Sequence, residues 1–325
     1  MSILYENPLG TLISHENYIN STLVGLEKRI QAKSEIFQIN YPYKKRKSLK
    51  AATEPILSDN IVLEYSAIDK QYFEFLRELK NAGFLTQTCS EHFLKNTSAL
   101  EEAEKIYNES NKYATTDYFG ANLGPPTVKP FGSSSYIFPQ NCQFYYPPWW
   151  NKYIRRKRKK TPHAYNMMYD CDLKQLALED LLTDDGIIVV WCTNSPQHLN
   201  YLINEIFVKW KVRLVAKWFW IKVTINGEPI CDFSRPPGKQ PFEQILIAKK
   251  GGENELIPTD GKLIVSIPSA IHSHKPPLIE VLKPFLPDNP SCLEVFARYL
   301  LPNWTSYGNE VLKFQHESFY LINNN

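Results

Sequence analysis

The longest unbroken apolar run in the chain, Ile187–Cys192, sets the first limit on the fold. It is far shorter than the roughly 20 apolar residues a membrane-crossing helix needs. Its β-branched residues favour a strand buried on both faces. Arg213–Val223, Phe242–Lys249, Lys262–Ile267, Cys292–Ala297 and Glu310–Phe314 read as further strands, and Cys142–Tyr146 as the end of an earlier one. Between them, Leu173–Leu182, Gln197–Trp210 and Pro276–Phe285 carry helical spacing. Alternation of this kind predicts an α/β sheet with helices on both faces. Ligands of such sheets lie beyond the carboxyl ends of the strands, which is where candidate residues are sought.

The first part of the chain has a different texture. Tyr72, Phe73, Leu76 and Leu79 predict a helix over Ala67–Ala82, and acids in the first turns of Ser98–Tyr113, Glu101 and Glu102, predict another. The expected division is a mainly helical N-terminal region over residues 1–116 and an α/β domain over 117–325, with Gly124–Pro130 as a Pro- and Gly-rich connector. A formal charge of +3 over 325 residues excludes a general polycation, so nucleic-acid affinity must come from local patches. Lys44–Lys47 with Lys50 is one: a solvated loop, an import signal or a phosphate-contacting patch. Six scattered cysteines without a Cys-x-x-Cys pair read as free thiols. The opening MSILYENPLG has no apolar core of a signal peptide, so no secretion and no membrane association are expected.

Four places can carry chemistry. Tyr146-Pro147-Pro148-Trp149 follows a strand directly. Two prolines cannot continue a central strand, so they form a rigid stub with free carbonyls beside an aromatic able to stack on a flat ring. That suits a nucleobase amino group, and it equally suits a Pro-rich turn among core aromatics. Six consecutive basic residues, Arg155, Arg156, Lys157, Arg158, Lys159 and Lys160, follow closely. Such a run is a solvated loop, an import signal or a phosphate-contacting element that adds affinity without reading sequence. In His272-Ser273-His274-Lys275-Pro276-Pro277, the His-x-His pair lacks the further ligands of a metal site, and Lys275 offers a charge to an anion. Last, Glu294-Val295-Phe296-Ala297-Arg298 ends a strand with flanking charges, and Gly308-Asn309-Glu310 lies downstream. An acid at a strand end can bind ribose hydroxyls, and Gly308 allows close backbone approach.

Taken in this order, the segments VVWCTN, VAKWFWIKV, HSHKPPLIEVLKPFL and CLEVFARYLLPNWTSYGNEVLKFQH resemble the adenine-N6 methyltransferases of the mRNA N6-adenosine methyltransferase type. The branch called methyltransferase-like protein 4 is the most similar. The resemblance spans roughly residues 140–316 and is most specific in its last part. It implies a Rossmann-like, S-adenosylmethionine-dependent methyltransferase fold with the catalytic motif first and the cofactor strand late. By position, Tyr146, Pro147, Pro148 and Trp149 match the catalytic motif. Lys275, Glu294, Phe296, Arg298, Asn309 and Glu310 match cofactor-lining positions, and Arg155–Lys160 falls at the substrate loop. The implied substrate is nucleic acid, RNA such as small nuclear RNA before DNA, with residence in the nucleus, the cytoplasm also being compatible. A monomer fits the sequence, as does a protein partner. Tyr146 stands where the family has an acid, and Gly132–Pro139 holds no acid where the family has one. Those departures imply, as the alternative, a weakened or inactive member that binds RNA or a partner.

Overall fold

The computed structural model describes residues 2–26, 29–43, 59–87, 96–110, 119–131, 133–145, 170–236, 238–251 and 257–323. Tyr146–Trp149, Arg155–Lys160, Lys44–Lys47 and Lys50 lie outside the described residues.

The aromatic-rich run becomes strand Arg213–Lys222 at the middle of a six-stranded sheet. The order across it is Ile3–Asn7, Gly10–Ile13, Leu263–Ser266, Arg213–Lys222, Phe242–Lys249, Ile187–Cys192. Gly10–Ile13, Leu263–Ser266 and Arg213–Lys222 run parallel, and Phe242–Lys249 is antiparallel to both its neighbours. The sheet is therefore α/β, as its alternation predicts, but mixed rather than all parallel. A four-stranded sheet holds Cys292–Val295, Trp304–Tyr307, Cys142–Tyr145 and Phe119–Asn122, the first three parallel.

The period of two along Arg213–Lys222 sorts its side chains between two cores. Phe219 and Ile221 face helix Asp59–Asn81, whose Tyr65, Ile68, Tyr72, Phe75, Leu76 and Leu79 are buried at helical spacing. Ala216, Trp218 and Trp220 face the other way, against Leu278, Val281 and Leu282 around helix Ile279–Leu282. Helices thus cover both faces. Burial of each large side chain contributes roughly 1.5–3 kcal/mol. Among the described residues no helix is long and apolar enough to cross a membrane, and no disulfide joins two described cysteines.

The sequence reading is corrected in several places. The first 116 residues hold the two expected helices, Asp59–Asn81 and Thr97–Ser110, but also the hairpin Ile3–Asn7/Gly10–Ile13, which pairs with Leu263–Ser266 in the main sheet. Its turn is set by Asn7, whose Oδ1 accepts from the Leu9 and Gly10 amides. Gly10 cannot be replaced, since a Cβ there would lie 2.8 Å from the Leu263 carbonyl oxygen. Leu173–Leu182 is two short pieces, Asp170–Lys174 and Leu178–Asp180, because the Trp210 indole takes the Leu176 carbonyl between them. Pro276–Phe285 is helical only from Ile279, with Leu278 as its N-cap residue, since the ring of each proline disfavours helical backbone at the residue before it, Lys275 and Pro276. Glu310–Phe314 is not a strand. The Lys313 amide turns back to the Glu310 carbonyl, starting the 3-10 turn Lys313–Gln315.

Candidate functional site

Two loops meet at the carboxyl ends of the strands. One, His272–Lys275, follows strand Leu263–Ser266, and the other, Phe296–Arg298, follows strand Cys292–Val295. Each turns through a non-glycine residue in the left-handed region, Ser273 at φ +62 and Phe296 at φ +63. Such a conformation costs on the order of 1 kcal/mol and persists only where surrounding contacts enforce it. At Phe296 the result is an aromatic ring left 52% exposed at the strand end.

Arg298 fixes the second loop. Its Nε and Nη2 donate to Glu310 Oε2 at 2.8 and 2.5 Å, and its Nη1 donates to the His272 carbonyl at 3.0 Å. Lys313 donates to the other Glu310 oxygen at 2.9 Å. Burial pushes the Glu310 carboxyl up, but Arg298 and Lys313 outweigh it and hold the group below the ordinary range. Beneath, Gly308 joins the strand ends. Its amide donates to the Tyr145 carbonyl at 3.2 Å, and a Cβ there would fall 2.5 Å from the Ala297 carbonyl oxygen. Only glycine lets these backbones approach so closely, and it leaves the Asn309 side chain exposed beside Glu310.

Lys275 belongs to a second cluster on the main sheet. Its ammonium pairs with Glu243, the second residue of strand Phe242–Lys249, and Lys222 at the end of the neighbouring strand pairs with the other oxygen of the same carboxylate. Lys275 lies over the rings of Trp191 and Trp220, 5.3 and 5.2 Å from their centroids, and Lys222 lies 4.7 Å from that of Trp220. Burial pulls the Lys275 ammonium below the ordinary lysine range despite Glu243, and Lys222 and Arg298 add repulsion. Burial raises Glu243, but the two lysines together hold its carboxyl below the usual value.

The structure thus brings Lys275, Phe296, Arg298, Asn309 and Glu310 to neighbouring strand ends. Glu294 is placed differently. It precedes the turn, its Oε2 is buried without a hydrogen-bond partner, and its charge bears on the phenols of Tyr18 and Tyr299. Burial pushes its carboxyl up to about 8. Between the ordinary value near 4.5 and about 8, the folded protein therefore keeps a proton that the unfolded chain has released. Stability must fall as pH rises through that window, by an amount on the order of 5 kcal/mol. Glu294→Gln is expected to flatten this dependence, as read by urea unfolding at about pH 5 and about pH 8.

Glu243, Lys222, Trp191, Trp220 and Lys313 escaped the sequence reading. A usable signal existed, because Lys222 closes, and Glu243 nearly opens, a mainly apolar strand. Chemically, the ensemble offers four guanidinium or ammonium centres anchored by two carboxylates, an exposed ring and an exposed amide. That set can take an anionic group together with a hydroxylated, ring-bearing ligand. Among the described residues no three His, Cys, Asp or Glu side chains gather in a metal-holding group.

The MT-A70 family model matches residues 141–310, a span that contains Lys275, Phe296, Arg298, Asn309 and Glu310. The mouse N(6)-adenine-specific methyltransferase METTL4 is 38% identical over 185 residues, 54% of this chain and 38% of that protein. The N6-methyladenosine RNA methyltransferase MTA1 of Cryphonectria parasitica is 34% identical over 266 residues, 74% of this chain and 76% of that protein. The DNA N6-methyl methyltransferase of Caenorhabditis elegans is 36% identical over 178 residues, 54% of this chain and 47% of that protein. The match therefore spans less than half of the mouse and nematode relatives and about three quarters of the fungal one.

Proposed function

The chain belongs to the MT-A70 family, and on that premise we propose that it transfers a methyl group from S-adenosylmethionine to N6 of adenine in nucleic acid, with RNA, such as small nuclear RNA, as the substrate. The observation that carries the reading is the meeting of two loops, one with Lys275 and one with Phe296 and Arg298, at neighbouring strand ends of the two sheets, with Asn309 and Glu310 beside them. RNA is preferred because a fungal relative that matches 74% of this chain is named as an RNA methyltransferase. The nucleus is the compartment that fits such a substrate.

The residues present suit the methyl donor. Lys275, held by Glu243, supplies a cation for its carboxylate. The Arg298–Glu310 pair offers a donor and an acceptor for ribose hydroxyls, with the buried Glu294 on the strand just before the turn. The exposed Phe296 ring and the Asn309 amide suit the adenine. S-adenosylmethionine, when bound, supplies an electrophilic methyl group, and the protein's part is to align an adenine amino group with it. Strand Cys142–Tyr145 runs parallel to the strand that leads into Gly308 and leads itself into Tyr146–Trp149. In this reading the motif precedes the cofactor strands in sequence, the permuted Rossmann-like order that the family resemblance implies. Pro147, Pro148 and Trp149 would hold the extruded base, and Arg155–Lys160 would contact phosphates.

A second reading is favoured by one residue. Tyr146 stands where an acid would accept from the adenine amino group, and its loss would leave a protein that binds RNA without methylating it. Transfer of a labelled methyl group to single-stranded RNA and DNA of the same sequence decides among these. N6-methyladenine in the RNA is expected. Methylation of DNA alone would overturn the substrate assignment, and RNA binding without transfer would establish the second reading.

A further inference from the structure

A column of rings runs from the candidate site to the amino-terminal segment. The Arg298 guanidinium lies 5.6 Å from the Phe314 ring centroid. Phe314 stacks on His274 at 4.0 Å and 19°. His274 meets the His15 ring edge-on at 4.2 Å, and His15 packs against Phe37 at 5.4 Å. The column is tied to both site loops through the main chain. His274 immediately precedes Lys275, and the Phe314 amide donates to the Arg298 carbonyl at 2.9 Å.

His15 is the first residue of helix His15–Ser21, capped by the Ser14 hydroxyl. The segment before it has little freedom. The Ser14 amide donates to the Ser2 carbonyl at 2.7 Å, and the Ser2 and Ile3 amides donate to Glu280 Oε2 at 2.7 and 3.3 Å. His15 is therefore delivered to one place by the sheet and by Glu280. Both His15 and His274 are buried, and the Nδ1 of each has no hydrogen-bond partner. Burial pushes His15 down to about 3, so the ring is neutral and acts through its face and edge. A buried, unsatisfied nitrogen costs roughly 1–3 kcal/mol, so the ring's shape is what this position uses.

We propose that His15 is a positioning residue for the methyl-donor site: by bracing the His274–Phe314 stack it sets where Lys275 and Arg298 stand. The amino-terminal hairpin and helix then belong to the site although none of their side chains reaches the ligand. The inference rests on the S-adenosylmethionine reading only for the identity of the ligand.

The test compares His15→Leu and His15→Phe with the unaltered chain. Leucine fills the space with apolar atoms but offers no flat ring, whereas phenylalanine keeps the ring and removes the unsatisfied nitrogen. Calorimetry reads S-adenosylmethionine affinity, thermal unfolding reads stability, and amide hydrogen exchange reads the mobility of His272–Lys275 and Phe296–Phe314. The leucine variant is expected to fold, to bind about tenfold more weakly and to exchange faster in those two segments. The phenylalanine variant is expected to restore both. A leucine variant with native affinity and exchange overturns the proposal, as does a phenylalanine variant as impaired as the leucine one. If the unaltered chain does not bind the methyl donor, the functional reading fails, and exchange in the two segments alone decides whether His15 positions them.

Discussion

Replacing Tyr146 with aspartate is expected to raise the methylation rate by about 10²–10³-fold, the amount one preorganised polar group contributes to a transition state. As the amino nitrogen attacks the methyl carbon it loses electron density and its protons become more acidic. A carboxylate accepts one of those protons as a hydrogen bond and keeps the lone pair aimed at the methyl. A phenol is a poorer acceptor and far larger than a carboxylate, so tyrosine in the motif offers weaker support to the amino group than the family's acid would. The gain should lie in kcat, since the interaction strengthens only as charge develops. Measured by labelled-methyl transfer to RNA, an unchanged rate in a folded Tyr146→Asp variant would mean that this position does not limit the chemistry. Activity only in the variant would mark the natural chain as the binding protein of the second reading.

The second large effect is expected at Glu243. One carboxylate there neutralises two ammonium groups, Lys222 and Lys275, each packed against tryptophan. Glu243→Ala leaves two partly buried cations facing each other and should destabilise the fold by roughly 3–5 kcal/mol, the cost of uncompensated buried charge. Glu243→Gln keeps the shape and a single acceptor, and should cost less. Because the two lysines hold the Glu243 carboxyl below the ordinary range, its contribution is present above that range and disappears as pH falls through the depressed value. Denaturant unfolding across the acid limb should therefore show a steeper loss for the native chain than for Glu243→Gln. A Glu243→Ala variant as stable as the native chain would mean that the lysines find water instead, and the cluster would lose its role in aiming Lys275.

Much of the architecture is legible in the sequence because it is written in local periodicity. Ile187–Cys192, Arg213–Lys222 and Phe242–Lys249 are strands within a residue or so of where their apolar runs lie, and Asp59–Asn81 carries its buried stripe at helical spacing. What escapes is decided by partners distant along the chain. Gly10–Ile13 becomes a sheet strand through Leu263–Ser266, some 250 residues away, and nothing in its own few residues announces that pairing. The same division holds at the site. Lys275, Phe296, Arg298, Asn309 and Glu310 are found from their motifs, because the chemistry is concentrated in short segments. Glu243 and Lys222 sit in apolar strands and gain meaning only when the sheet sets them side by side. His15 is further still from any motif, and only the ring stack connects it to Arg298.

Whether these strand ends hold S-adenosylmethionine is read by titration calorimetry on the purified chain. A dissociation constant in the micromolar range is expected, weakened by about tenfold or more in Arg298→Ala and in Asn309→Ala, which remove the anchored cation and the exposed amide. A folded sample that takes up no S-adenosylmethionine at millimolar concentration, or one whose affinity ignores both substitutions, would contradict the proposed function.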